Sequence, residues 1–218
     1  MGKMKSLNEL VDQSKSTWLL IQEWISKSAK NIEIIPPNNS DAGKVLTNLQ
    51  VTTKSVLGST IYYSGGFKID NGWLRILGSG SESITRDVLT WNKTDSCGKS
   101  TRLPGALLVA DDVLGGFYAI NGDAFEGAIG NVYYLAPDTL KWESLDMPYS
   151  SFLNWVLLGD TDLYYSSFRW RGWENEVLSV GGDSGILFYP FLWSSEKELE
   201  LRRRSIVPIE EIWNLMHE

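Results

Sequence analysis

Apolar positions early in the chain recur at a helical spacing: Leu7, Leu10, Val11, Trp18, Ile21, Trp24 and Ile25 fall on the face that a period of about 3.6 residues buries. Ser6 followed by Glu9 supplies a capping box, in which each side chain satisfies an otherwise orphaned backbone N–H. The polar stretch 13–16 divides the run into a short helix and a longer one. Pro36-Pro37 closes it, because proline removes a donor and restricts its predecessor. Residues 41–50 spell another short helix. From Val51 the pattern changes. Segments 51–53, 59–63 and 72–77 are rich in β-branched and aromatic residues and are punctuated by glycine pairs or by Asp70-Asn71-Gly72, which predicts strands and hairpins.

Segments 107–110, 116–121 and 131–135 read as core strands, with Gly115-Gly116 at a tight bend and Pro137-Asp138 at a turn. Segments 150–158 and 163–178 have helical spacing, 185–192 is a further strand, and Pro208 with Glu210 and Glu211 opens a terminal helix through Met216. The order predicts an α+β fold, a mainly antiparallel or mixed sheet flanked by N- and C-terminal helices, as one domain over 1–218.

Composition narrows the chemistry. A net charge of −7 argues against nucleic acid, whose phosphates need a basic face. The one basic cluster, Arg202-Arg203-Arg204, follows Glu196, Glu198 and Glu200 and reads as a solvated strand or loop. Cys97 is the single cysteine and falls in a polar loop over 92–101, so no intrachain disulfide forms and a cytoplasmic setting is expected. No apolar run approaches a membrane span. The single histidine, His217, sits at a position where chains usually fray, so a histidine triad or a Cys/His zinc site is not expected. No P-loop, dinucleotide fingerprint or nucleophile elbow is present, and no cofactor or metal is expected.

Carboxylates remain. Asp111-Asp112 ends an apolar strand, and extended backbone sends adjacent side chains to opposite faces, so the two do not act as a catalytic pair. Asp123, Glu126 and Asp138 fall in turn contexts. Two aromatic groups, Trp170-Arg171-Gly172-Trp173-Glu174 and 188–193, read either as core or as interaction surface; ten tryptophans supply both.

Several stretches together, Gln22-Glu23-Trp24-Ile25, Leu49-Gln50-Val51-Thr52-Thr53, 72–80, 109–117 and 188–193, resemble the bacterial family catalogued as domain of unknown function 2625. That resemblance spans nearly the whole chain and implies no activity. A shorter one, through Gly115-Gly116-Phe117, 131–135 and 149–153, is similar to the SUKH superfamily, many of whose members are immunity proteins that neutralise bacterial toxins. It covers about a quarter of the chain.

The expectation is a non-catalytic, immunity-like module that occludes a protein partner of toxin type, using Asp111, Asp112, Asp123 and Glu126 near the glycine-rich turns. The alternatives are a small-ligand binder or enzyme built on the same carboxylates, and a structural homodimer formed through the 188–193 strand.

Overall fold

Seven strands that follow one another along the chain pair in that same order, each antiparallel to the next. They are β1 (Ile32–Ile35), β2 (Gly66–Ile69), β3 (Leu74–Leu77), β4 (Ala106–Asp112), β5 (Phe117–Asn121), β6 (Asn131–Leu135) and β7 (Trp142–Pro148). A separate hairpin joins β8 (Ser184–Tyr189) to β9 (Arg203–Pro208). The computed structural model describes residues 4–194 and 198–217, at 39–40 the backbone alone; Glu196 lies outside the described residues. The protein has the α+β fold that the pattern predicts.

Helices cover both faces of the sheet. On one face, α2 (Ser16–Lys27) and α6 (Tyr149–Leu158) pack over Phe67, Leu74, Ile76, Tyr118 and Tyr134, together with the 165–177 aromatic stretch and β8. On the other, α3 (Asn39–Leu49), α5 (Val88–Asn92) and α9 (Ile209–Leu215) pack over Leu77, Leu108, Phe117 and Leu135. Both faces of the central strands are therefore apolar, which is why 74–77 and 106–112 read as nearly continuous hydrophobic runs. No helix among the described residues is long and apolar enough to cross a membrane.

The N-terminal pattern is realised as α1 (Leu7–Leu10) and α2, and the Glu9 carboxylate accepts from both the Ser6 N–H and its hydroxyl at 2.8 and 2.7 Å. Segment 59–63 departs from expectation, forming α4 (Val56–Tyr63). Ser55 caps it by accepting from the Gly58 N–H at 3.0 Å, and a Cβ at Gly58 would collide with the Thr52 carbonyl. Local capping and close approach override the strand propensity of Thr60, Ile61 and the tyrosines. Residues 51–53 are not a strand either; the Thr53 N–H and the Thr52 hydroxyl both bond to the Leu10 carbonyl, at 3.0 and 2.8 Å.

The helical run 163–178 is broken into α7 (Thr161–Tyr164) and α8 (Trp173–Leu178). Arg169 leaves the helical path to bind Asp70 and Asp162, and its guanidinium stacks over Trp173 and Trp73 at 4.2 and 5.1 Å from the ring centres. Arg204 makes a further cation–π contact in this region, over Trp170 at 5.1 Å from the ring centre.

Candidate functional site

Asp111 and Asp112 are both wholly buried, so neither offers a surface to a partner, and that part of the expected site is corrected. The alternation of β4 sends them to opposite faces of the sheet. Asp111 accepts from Arg75 Nε and from Arg86 Nη1, both at 2.5 Å. Arg75 lies directly across from it on β3 and also donates to the carbonyls of Asp112 and Ser184. Arg86 reaches the Gly182 carbonyl at 2.8 Å and the Asp183 carboxylate at 3.1 Å. Two arginines thus balance two aspartates and clasp the 182–184 end of β8 to the sheet. Burial pushes the Arg75 guanidinium below its ordinary pKa, with the Asp111 charge opposing. Burial pushes the other way at Asp183, but hydrogen bonds from Thr85 and the Arg86 charge prevail and hold its carboxyl below the usual range.

On the opposite face Asp112 is ringed by donors. Its Oδ1 accepts from the Leu114 and Gly116 N–H groups, both at 2.9 Å, and its Oδ2 from the Tyr134 and Tyr165 hydroxyls at 2.7 and 3.2 Å. The Tyr165 and Tyr118 hydroxyls share a further short hydrogen bond. A Cβ on Gly116 would overlap the Asp112 Oδ2 and the Tyr134 ring, so the glycine is what lets the carboxylate and phenol meet there. Burial outweighs these donors and leaves the Asp112 carboxyl above its ordinary value. Burial, with the neighbouring phenols and carboxylate, likewise pushes the hydroxyls of Tyr118, Tyr134 and Tyr165 well above the usual tyrosine range. Within this closed core the phenols stay neutral and serve as donors.

The tyrosine cluster surfaces at Tyr164, whose ring meets those of Trp155 and Tyr165 edge-on, each at 5.0 Å, and that of Tyr134 at 6.0 Å. Beside it Leu163 is 73% exposed, Leu158 40% and Tyr164 itself 37%. Four exposed carboxylates belong to this end of the molecule. Burial foremost, then the charges of Asp112, Glu143 and Asp138, pushes the Tyr164 hydroxyl up. Asp160 caps α7 by accepting from the Leu163 N–H at 2.9 Å, and Asp162 pairs with Arg169. The result is an apolar, aromatic prominence bordered by exposed carboxylates, of which Asp162 is offset by Arg169 and both Asp160 and Asp162 by Lys30.

Asp123 and Glu126 are exposed on the loop between β5 and β6. Asn121 folds that loop, exchanging hydrogen bonds with the Phe125 backbone at 3.0 and 3.1 Å. The five residues of β5 separate them from Asp111 and Asp112 by on the order of 15 Å, so the four acids do not converge.

A family model described as "Protein of unknown function DUF2625" matches residues 7–212. The chain belongs to this family. It is 40% identical over 215 residues to "Putative uncharacterized protein YbfG" of Escherichia coli K12, covering 99% of this chain and 97% of that one. It is also 37% identical over 208 residues to an "Uncharacterized protein" of Haemophilus influenzae, covering 95% and 91%. No solved structure matches.

Two surface hollows complete the picture of this DUF2625 protein. One, of about 560 Å³, has an apolar floor of Leu49, Val51, Leu107 and Ile120, with Lys99 and Asp123 also in its lining. The other, of about 720 Å³, is lined by Pro36, Pro37, Ser79, Ser83, Asp87 and neighbouring polar residues. Asp112 lines neither. Among the described residues no group of three or more His, Cys, Asp or Glu is placed to hold a metal. Sequence reasoning missed Leu163 and Tyr164, which it assigned to one continuous amphipathic helix. The signal lay in Gly172, inside the run, whose φ of +78° leaves the helical region just before α8.

Proposed function

We propose that this DUF2625 protein is a non-catalytic binding module that acts by occluding a protein partner. Leu163 and Tyr164 are its anchors, and Asp138, Glu143 and Asp160 steer a basic partner toward them. The observation that carries this reading is the Tyr164 prominence. A tyrosine braced edge-on by Trp155 and Tyr165 loses little conformational freedom on binding, and aromatic side chains in such settings dominate interface energetics. Acidic neighbours raise the rate of encounter with an opposite charge. The resemblance of 115–117, 131–135 and 149–153 to the SUKH superfamily would imply the same mode, with a toxin as the partner class; the family match itself carries no such role.

The rival reading, an enzyme or small-ligand binder, has one observation in its favour: Asp112 carries the raised pKa that catalytic acids show. Its complete burial weighs against it. The test is affinity capture from a lysate of the bacterial host with wild-type chain and with Leu163→Asp, quantified by mass spectrometry. A protein retained in stoichiometric amount by the wild type and lost with the variant, at equal thermal stability, supports the reading. A partner held equally by both places the binding surface elsewhere and rejects the assignment.

A further inference from the structure

The β8–β9 hairpin has one open edge, and its polarity can be worked out. The Ile186 N–H donates to the Val113 carbonyl at 2.7 Å, and the Ile209 N–H to the Asp183 carbonyl at 3.0 Å. Facing residues in an antiparallel ladder alternate between pairs that exchange both hydrogen bonds and pairs that exchange none. Asp183 with Ile209 belongs to the bonded class, so Gly185–Val207, Leu187–Ser205 and Tyr189–Arg203 do too. Ile186–Ile206 and Phe188–Arg204 are then the non-bonded pairs, and Ile186 directs its own N–H away to Val113 as that requires. The N–H and C=O groups of Arg204 and Ile206 therefore point outward from β9. No backbone or side-chain partner for them occurs among the described residues. On the far side of β8, Val113 and Arg75 engage Ile186 and Ser184 and Phe188 is buried, so the exposed run of outward groups falls on β9.

The side chains on this edge have a definite character. Ile206 is 52% exposed, and Tyr189, opposite Arg203, is 67% exposed. Three consecutive arginines, 202–204, stand here in a chain of net charge −7. Arg204 is committed to Glu176 at 2.8 and 3.0 Å, whereas exposed Arg203 makes no ion pair among the described residues. Charged edge residues keep two like edges from pairing; the same charge attracts an opposite one. A second copy would bring arginine-bearing strands together, so charge selects a different occupant.

We propose that the outer edge of β9 binds an extended acidic segment of another protein by strand addition. The segment hydrogen-bonds to Arg204 and Ile206, sets a carboxylate beside Arg203 and lays an apolar side chain on Ile206. This site is separate from the Tyr164 prominence and stands or falls independently of it.

The probe is a blocked peptide alternating glutamate with valine, titrated into the full chain while backbone amide resonances and hydrogen exchange are followed. The expected result is a shift and slowed exchange at the Arg204 and Ile206 amides, with affinity falling as salt rises. Ile206→Pro removes one outward N–H and no ladder bond, a change edge strands tolerate, and should weaken binding about fivefold to tenfold. Arg203→Glu, which leaves the backbone unaltered, should shift preference to a lysine–valine peptide. The proposal is overturned if those amides do not respond, if both peptides bind the wild type equally, or if Arg203→Glu leaves the preference unchanged. It is also overturned if the free chain dimerises through this edge.

Discussion

Two adjacent aspartates in one strand live in opposite electrostatic worlds, and that contrast is testable residue by residue. Asp111 sits between two guanidiniums, so Asp111→Asn leaves buried positive charge without its counterion. Breaking a buried pair in this way costs about 3–5 kcal/mol, and chemical denaturation should show a loss of that size. Asp112 is held by neutral donors, and in Asp112→Asn the new amide faces phenol oxygens that can accept from it; the same measurement should show a much smaller loss. The pH signatures of Asp112 and Asp183 also differ. The Asp112 carboxyl is raised, so its contribution is full at low pH and declines as pH rises through its folded-state pKa; unfolding curves between about pH 4 and pH 8 should show Asp112→Asn gaining relative to wild type. Asp183 is depressed, so its contribution is present above the ordinary carboxyl range and is lost as pH falls through its folded-state value. Asp183→Asn should flatten the acid limb of the stability profile. The opposition of the two side chains was legible in the sequence, because strand alternation requires it. Their burial was not, since nothing local announces that Arg75 and Arg86 will arrive from elsewhere to neutralise Asp111.

At the scale of elements, the chain signalled those whose burial is continuous or whose caps are local. Strand β6 and the α1–α2 pair follow their patterns closely. Edge strands β1 and β7 are weak signals because each is only partly buried, which blurs the alternation. Helix α4 was hidden because its β-branched and tyrosine content favours a strand, while the deciding contacts, Ser55 to Gly58 and Gly58 against Thr52, depend on the fold around it. The hairpin from β4 to β5 turns on Gly115-Gly116, and its tightness places the Asp112 carboxylate against Tyr134. Gly116→Ala should force those groups apart and cost about 1–3 kcal/mol, read as a lower Tm. A Gly116→Ala protein as stable as wild type would mean that the tyrosine cluster adds little to the packing of the hairpin against α6.

For the molecule as a whole, the sheet divides two apolar layers, and the chemistry-bearing acids of the central strands are spent holding it together. The two proposed binding surfaces lie where an aromatic residue escapes the core, at Tyr164, and where Arg203 borders the outer edge of β9. Sequence alone indicated an acidic and aromatic binding surface in general terms. It included Asp111 and Asp112, which the fold buries, because they stand beside glycines, as exposed turn residues do. The most direct measurement is site-specific photocrosslinking in the living bacterium, with a photoreactive side chain at Leu163 and, as control, at exposed Glu211 on the opposite helical layer. A discrete adduct of one protein from position 163 and none from 211 is the result this account predicts. No adduct at 163, or the same adduct from both positions, would contradict it.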